Sequence, residues 1–141
     1  MRDLENLFDA LERSAFRRRF RLKPAELHLL RERGMSVVLQ HARELIQNRL
    51  APAAPRNDGD QTPMRGHPVF VAQHATATCC RSCLARWHGI EKARALREQE
   101  MCYVIRVIER WLTKQAANPI PMDRKTGEQT QLTLFDSITV R

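Results

Sequence analysis

A run of apolar residues at helical spacing near the end of the chain constrains the fold most. These residues are Met101, Val104, Ile105, Ile108, Trp111 and Leu112. Residues that recur at intervals of three and four share one face of an α-helix, so the pattern predicts an amphipathic helix over residues 97–114. Because such a face must be covered, we expect this helix to be the central core helix of a helix-rich domain.

The N-terminal half predicts three further helices. Asp3 is suited to cap the first of them. Pro24 suits the first turn of the second helix, which Gly34 ends. Ser36 starts the third helix, which should end near Leu50, before the prolines that follow. The apolar face of the first helix consists of Leu4, Leu7, Phe8 and Leu11.

The centre of the chain predicts a loop and a small β element. Residues 51–66 are rich in Pro and Gly and hold almost no large apolar side chain, which is typical of a loop. The β-branched residues of segment 68–78 favour one or two short strands that run into a group of cysteines. The predicted class is therefore α+β, mainly α. We expect one compact helical domain over residues 1–116, followed by a flexible tail over residues 117–141.

The positive charge is concentrated in one segment. The chain has 24 Lys and Arg against 16 Asp and Glu, a net charge of +8. Residues 13–33 hold eight basic and two acidic side chains, and so account for six of these eight charges. One arginine side chain can bind two phosphate oxygens at once, so the segment predicts a contact with nucleic acid. We expect DNA in preference to RNA. The alternative is an ordinary solvated surface. The predicted contact residues are Arg17, Arg18, Arg19, Arg21 and Lys23.

Two aromatic residues, Phe16 and Phe20, lie at the ends of the arginine run. Their spacing of four residues places them on one helix face, and we predict that this face is directed to the core. The alternative is that the rings are available to stack on single-stranded bases.

Five potential metal ligands lie within 15 residues: His74, Cys79, Cys80, Cys83 and His88. Cys80 and Cys83 have the Cys-x-x-Cys spacing, in which two sulfurs converge on one tetrahedral ion. His74 and His88 would complete a Zn²⁺ shell, with Cys79 as a substitute for His74. The alternative is a set of buried thiols, with both histidines hydrogen-bonded to the backbone.

Two other functions use residues of the same segment. A small metal-dependent nuclease of the His-Asn-His type would use His67 or His74 as its base. However, no Asp or Glu lies between Gln61 and Ile90 to bind Mg²⁺, which weighs against a nuclease and favours a non-catalytic protein. A thiol-sensing or metal-sensing regulator would use the three clustered cysteines. A thioredoxin-like pair is disfavoured because no βαβ pattern surrounds it, and Cys102 is interpreted as a structural thiol outside the site.

Three stretches carry a family resemblance: FRRRFRLKPAEL, NRLAPAAPRNDGDQTPMRGHPVFVAQHATATCCRSCLARWHGI and the helix that contains Trp111. Together they resemble a bacterial domain-of-unknown-function family, DUF4186, over roughly residues 14–114. The resemblance implies a compact α-rich domain and no particular activity. The chain departs from the family at Leu96-Arg97, where a helix-capping Thr is expected.

A short apolar island stands near the C-terminus. Gln131-Leu132-Thr133-Leu134-Phe135 resembles the pentapeptide with which bacterial polymerases and repair factors bind the DNA sliding clamp. Gln131 would be the amide at the pocket rim, and Leu132, Leu134 and Phe135 would be the apolar anchors. The alternative is that the island packs on its own domain.

The chain as a whole suggests a cytoplasmic protein. No window approaches the length of a membrane-spanning apolar run, and the first residues alternate charge with leucine, unlike a secretory signal. Clustered cysteines are typical of a metal or thiol site in a reducing compartment. We therefore predict a zinc-stabilised, DNA-associated accessory protein that the sliding clamp recruits in replication or repair.

Overall fold

The computed structural model describes residues 1–117, and these residues form seven helices. In chain order they are α1 (Leu4–Arg13), α2 (Ala15–Arg18), α3 (Pro24–Arg33), α4 (Met35–Arg49), α5 (Pro68–Ala75), α6 (Arg81–His88) and α7 (Glu98–Ala117). The part of the chain that is described contains no strand. The mainly helical class is confirmed, whereas the predicted β element is not found.

Helix α7 is the centre of the domain, as its apolar spacing predicts. It packs against α3, α4 and α5, and Val104, Val107, Ile108 and Leu112 are completely buried in this contact. Four fully buried aliphatic side chains contribute roughly 1.5 to 3 kcal/mol each to the free energy of folding, before the entropy cost is subtracted. The core thus lies between α7 and the helices α3, α4 and α5.

Segment 68–78, predicted as strands, contains helix α5, so that prediction is wrong. Pro68 occupies the first turn of α5, and the His67 ring accepts a hydrogen bond from the Val69 N–H as an N-cap. A proline at this position has the helical φ angle and needs no backbone donor. Most of the helix is buried on all sides, and a short, continuously apolar run cannot distinguish a buried strand from a buried helix.

The start of α7 has a cap despite the missing threonine. The Glu100 carboxylate accepts hydrogen bonds from the Arg97 backbone N–H at 2.8 Å and from both terminal nitrogens of Arg94, at 2.8 and 2.7 Å. The Arg94 guanidinium lowers the pKa of Glu100 to about 2. Glu100 is the third residue of α7, and its bond to the Arg97 N–H is one of the two hydrogen bonds of a capping box. This bond caps the N-terminus of α7 at Arg97.

Arg81, the first residue of α6, anchors the loop over residues 51–66. Its side chain is only 1% exposed and donates hydrogen bonds to the carbonyls of Leu50, Pro52 and Glu91 at 3.3, 2.9 and 2.7 Å. Its backbone N–H donates to the Asp58 carboxylate at 3.1 Å. The N-terminus of α6, where the cysteines lie, is therefore held in place by a buried cation.

Candidate metal centre and basic cleft

Three cysteines converge at the N-terminus of α6. Cys79, Cys80 and Cys83 have sulfur atoms that all lie within 4.8 Å of one another, and Cys79 Sγ is 3.6 Å from Cys83 Sγ. Cys80 is the N-cap of α6, and its sulfur accepts a hydrogen bond from the Cys83 N–H at 3.4 Å. Helix geometry then places Cys83 on the same turn. Over residues 1–117, this is the one group of three or more Cys, His, Asp or Glu whose ligand atoms are so close.

The hydrogen bond between the sulfurs of Cys79 and Cys83 makes the cysteines unequal. It lowers the pKa of Cys79 and raises the pKa of Cys83, and burial adds to the increase at Cys83. Burial also raises the pKa of Cys80. Of these three cysteines, only Cys79 has a pKa below the ordinary value of a thiol.

Arg17 joins α2 to the cysteines. Its guanidinium donates to the His74 carbonyl at 2.6 Å and to Cys83 Sγ at 3.4 Å, and the residue is only 8% exposed. The guanidinium also lies 5.8 Å from the centre of the Trp87 ring. Arg17, predicted as a phosphate contact, therefore has its donors directed at the cysteine site. The sequence gives no signal for this contact, because the two partners are 66 residues apart.

Neither candidate histidine ligand belongs to the cysteine group. His74 Nε2 lies 3.0 Å from the Thr62 carbonyl oxygen, and its ring stacks on Phe20 with centroids 5.8 Å apart. His88 is completely buried, with Nδ1 2.7 Å from the Tyr103 hydroxyl and Nε2 2.9 Å from the Thr76 carbonyl. Both ring nitrogens of His88 and one ring nitrogen of His74 thus have protein partners.

His67, the other candidate base, caps α5 and lies away from the cysteine group. Its ring is 5.7 Å from that of His41 and 5.6 Å from that of Phe70. Burial and the neighbouring His41 lower the pKa of His67. The one convergent group of the described residues that could hold a metal ion consists of cysteines and contains neither His67 nor a carboxylate.

His88 makes the stability of the domain dependent on pH. Burial lowers the pKa of its ring to about 4, so folding favours the neutral form. As the pH falls below 6.5, the unfolded chain takes up a proton that the folded chain does not, and stability decreases until the pH reaches about 4. Between pH 7.5 and pH 5 this effect should cost about 2 kcal/mol.

Urea unfolding of the native chain and of the His88→Gln variant at these two pH values measures the effect. Glutamine keeps polar atoms for Tyr103 and Thr76 but does not titrate. The variant should lose less stability on acidification than the native chain, and the other titrating groups cancel in the comparison. Equal losses would show that His88 is not the responsible group.

The three sulfurs suit Zn²⁺. Zinc–sulfur bonds of about 2.3 Å in a tetrahedron place sulfurs roughly 3.8 Å apart, and the 3.6 Å between Cys79 and Cys83 is close to this value. Three thiolates and one Zn²⁺ carry a net charge of −1, which the Arg17 guanidinium on Cys83 would balance. Among the residues described, a fourth side-chain ligand does not converge with the three.

A basic cleft lies beside the cysteine site. It has a volume of about 800 Å³, and Arg17 lies on its wall as well as on Cys83. The cleft is lined by residues of α1, of α2 with the segment after it, of the end of α5, and of α7. They include Arg18, Arg19, Phe20, Arg21, Trp111 and Lys114. Lys23, also predicted as a phosphate contact, is exposed but does not line the cleft.

The ring of Phe16 is 43% exposed, so its predicted core position is wrong. Helix α2 is only one turn long and cannot present a continuous face to the core. The ring instead lies 4.9 Å from the guanidinium carbons of both Arg17 and Arg19.

Comparison with known proteins identifies one family. A family model described as a domain of unknown function (DUF4186) matches residues 5–113, which include the cysteine site and most of the residues that line the cleft. No solved structure matches the chain. Within residues 1–117, no helix has both the length and the apolar character needed to cross a lipid bilayer.

Proposed function

The chain belongs to the DUF4186 family, and we propose that it is a zinc-binding accessory protein that contacts DNA and is recruited to a bacterial sliding clamp. The observation that carries the proposal is the convergence of Cys79, Cys80 and Cys83 beside a cleft lined with arginine. One residue, Arg17, belongs to both features, which connects a metal site with a surface suited to phosphates.

The metal would have a structural role. The site joins three segments that are distant in the sequence: α6 through its cysteines, α2 through Arg17, and the loop over residues 51–66 through Thr62. The Thr62 hydroxyl donates to the Cys79 carbonyl at 2.9 Å. A thiolate-rich set of ligands selects Zn²⁺ over Mg²⁺ or Ca²⁺, which prefer oxygen. A bound ion would therefore stabilise the orientation of α2 and with it the basic residues.

DNA binding is supported by the position of the arginines that follow Arg17. Arg18, Arg19 and Arg21 are exposed and line the cleft, so their guanidinium groups are accessible to phosphates. Backbone phosphates attract such groups regardless of base sequence, and we expect binding that is sensitive to salt and indifferent to sequence.

Recruitment to the clamp rests on the motif Gln131-Leu132-Thr133-Leu134-Phe135. This motif lies outside the described residues, and its support is the sequence resemblance. A clamp encircles DNA, so a protein that binds both partners at once has a higher effective concentration at each. A pull-down of purified clamp by the native chain, with a chain ending at Ala117 as the control, tests the assignment.

Arg17 offers a separate test of the metal site. Replacing Arg17 with Gln removes the donor to Cys83 Sγ and should weaken zinc binding by about 10- to 100-fold, the usual effect of losing a partner of a metal ligand. Arg18→Gln, a change of the same charge at an exposed neighbour, is the matched control and should bind zinc as the native chain does. Competition with a chromophoric chelator measures both affinities, and equal values for the two variants would contradict the role of Arg17.

A thiol sensor is the second candidate function, and the 3.6 Å between the sulfurs of Cys79 and Cys83 favours it. Both cysteines are free, and only a small shift separates them from a disulfide of about 2.05 Å. Oxidation by a peroxide would join the two sulfurs and transfer two electrons to the peroxide, which takes up the two thiol protons and is reduced to water and an alcohol, or to two waters. Counting free thiols after peroxide treatment distinguishes the sensor: a loss of two thiols, reversed by a reductant, would support it.

A further inference from the structure

We infer that the basic cleft is a site for single-stranded nucleic acid, in which unpaired bases stack on Phe20 and Trp111 while phosphates bind Arg18, Arg19 and Lys114. The inference rests on the proposed DNA contact and names its substrate class. It combines the size of the cleft, the charge on its walls and the aromatic rings that line it.

The size of the cleft suits a few nucleotides. Its volume of about 800 Å³ falls within the range of roughly 300 to 1,000 Å³ of pockets that enclose one small ligand. A DNA duplex presents a broad convex surface with its bases stacked inside, and could touch only the rim of such a cleft. Unpaired bases can turn away from their backbone and enter it.

The walls carry a strong positive charge. Arg18, Arg19, Arg21 and Lys114 line the cleft, and Glu12 is the one acidic residue among the lining residues. Within residues 1–117, none of these four basic side chains forms a salt bridge. Four cations that form no salt bridge with residues 1–117, against one carboxylate, favour a polyanion over an acidic peptide with few charges or a neutral ligand.

The aromatic residues favour bases as the second element of the ligand. Phe20 and Trp111 are both half-buried and both line the cleft. The exposed Phe16 meets Phe20 edge to face, with ring centroids 5.2 Å apart. Alternating cations and aromatic rings are the arrangement with which proteins bind single strands without reading the sequence, because every base has a face that can stack.

Contacts between neighbouring elements hold the walls of the cleft together. The Leu22 backbone N–H donates to the Gln115 side chain at 2.9 Å, which ties the segment after α2 to the end of α7. The ring of Phe20 stacks on His74, and Arg17 of α2 donates to the His74 carbonyl and to Cys83 Sγ. A preformed site of this kind loses less conformational entropy when a ligand binds.

Fluorescence anisotropy with labelled 15-nucleotide probes tests the inference on the full chain. The probes are oligo-dT, oligo-rU and a 15-base-pair duplex, each measured over a range of salt concentrations. We expect either single strand to bind at least about tenfold more tightly than the duplex. The triple variant Arg18→Ala, Arg19→Ala, Lys114→Ala should lose at least about tenfold in affinity for the single strand. Its salt slope should become shallower by about 2, at roughly 0.7 for each lost phosphate contact.

A charge-matched control separates the cleft from general charge. Arg56, Arg65 and Arg86 are exposed and lie outside the cleft, so their triple replacement by Ala removes the same charge. This control should lose less than about threefold in affinity. Circular dichroism of both triple variants establishes that they are folded.

Tryptophan fluorescence then reports on stacking. In a Trp87→Phe background, Trp111 is the remaining tryptophan, and oligo-dT should quench it whereas the duplex should not.

The outcomes separate the inference from the proposed function. Binding of the duplex that equals or exceeds that of the single strands would overturn the inference and leave the DNA contact intact. The absence of binding to any probe would overturn both. Equal competition by a polyglutamate of the same charge, or equal losses in the two triple variants, would show a general polyanion surface and also overturn the inference.

Discussion

Replacing Cys83 with Ser is expected to release one Zn²⁺ per chain and to lower the free energy of unfolding by about 4 kcal/mol when free zinc stands near 1,000 times its dissociation constant. Cys83 lies on α6, and its sulfur contacts both Cys79 and Arg17. Serine is a poor ligand for zinc, and it also leaves the Arg17 guanidinium without its sulfur acceptor. Because binding of a structural metal contributes directly to folding, loss of the ion should destabilise the segments that it joins.

The experiment compares metal content and thermal unfolding for matched cysteine variants. Cys79→Ser and Cys80→Ser should behave like Cys83→Ser, since all three sulfurs converge. Cys102→Ser is the control, because Cys102 is exposed on α7 and lies next to Glu98 instead of the cluster. The control should keep its zinc and its stability. Elemental analysis that finds no metal in native protein prepared without chelators would contradict the site.

The histidine variants define the shell further. His74→Ala and His88→Ala should both retain the metal, since neither residue belongs to the cysteine group. His74 Nε2 lies at the Thr62 carbonyl, and the two nitrogens of His88 lie at the Tyr103 hydroxyl and the Thr76 carbonyl. Loss of zinc in His74→Ala alone would indicate a Cys₃His shell in which His74 is the fourth ligand. It would mean that the ring leaves Thr62 when zinc binds.

The helices could be predicted from the sequence because periodic apolar spacing is a local property. The cap at Asp3, the proline at Pro24 and the glycine at Gly34 each act within one turn, and the structure has helix boundaries at all three. Segment 68–78 could not be predicted in this way, since its burial on all sides removes the periodic signal. Whether this segment forms a helix or a strand depends on the elements that pack around it, and the local sequence does not specify those contacts.

The candidate site was predictable in part for the same reason. The cysteines are close in the sequence, so the turn at the start of α6 is enough to bring Cys80 and Cys83 together. The hydrogen bonds of Arg17, His74 and His88 are made with partners 12 to 66 residues away in the sequence. A histidine near cysteines in the sequence can either bind a metal or form a hydrogen bond with a backbone carbonyl. The tertiary structure determines which of the two occurs.

A peptide of residues 119–141 is expected to bind a bacterial sliding clamp with a dissociation constant near 1 μM, about −8 kcal/mol. Leu134 and Phe135 would enter the apolar groove, and burial of each contributes roughly 1.5 to 3 kcal/mol towards the cost of ordering the peptide. Replacing both with Ala should therefore abolish detectable binding. Gln131→Ala should weaken it by only about 0.5 to 1.5 kcal/mol, the contribution of one hydrogen bond at a hydrated rim.

The same substitutions in the full chain distinguish a clamp ligand from a segment that packs on its own domain. If the motif serves the clamp, the Leu134→Ala, Phe135→Ala chain should unfold at the native temperature while losing clamp binding. A lowered unfolding temperature would indicate that the island covers its own domain.

Titration of a labelled peptide against purified clamp measures the affinity. Equal binding by the native and double-variant peptides, or no binding by the native peptide at about 100 μM clamp, would remove the assignment to replication and repair. The proposed zinc site and the cleft would not depend on that result, because their residues lie within residues 1–117.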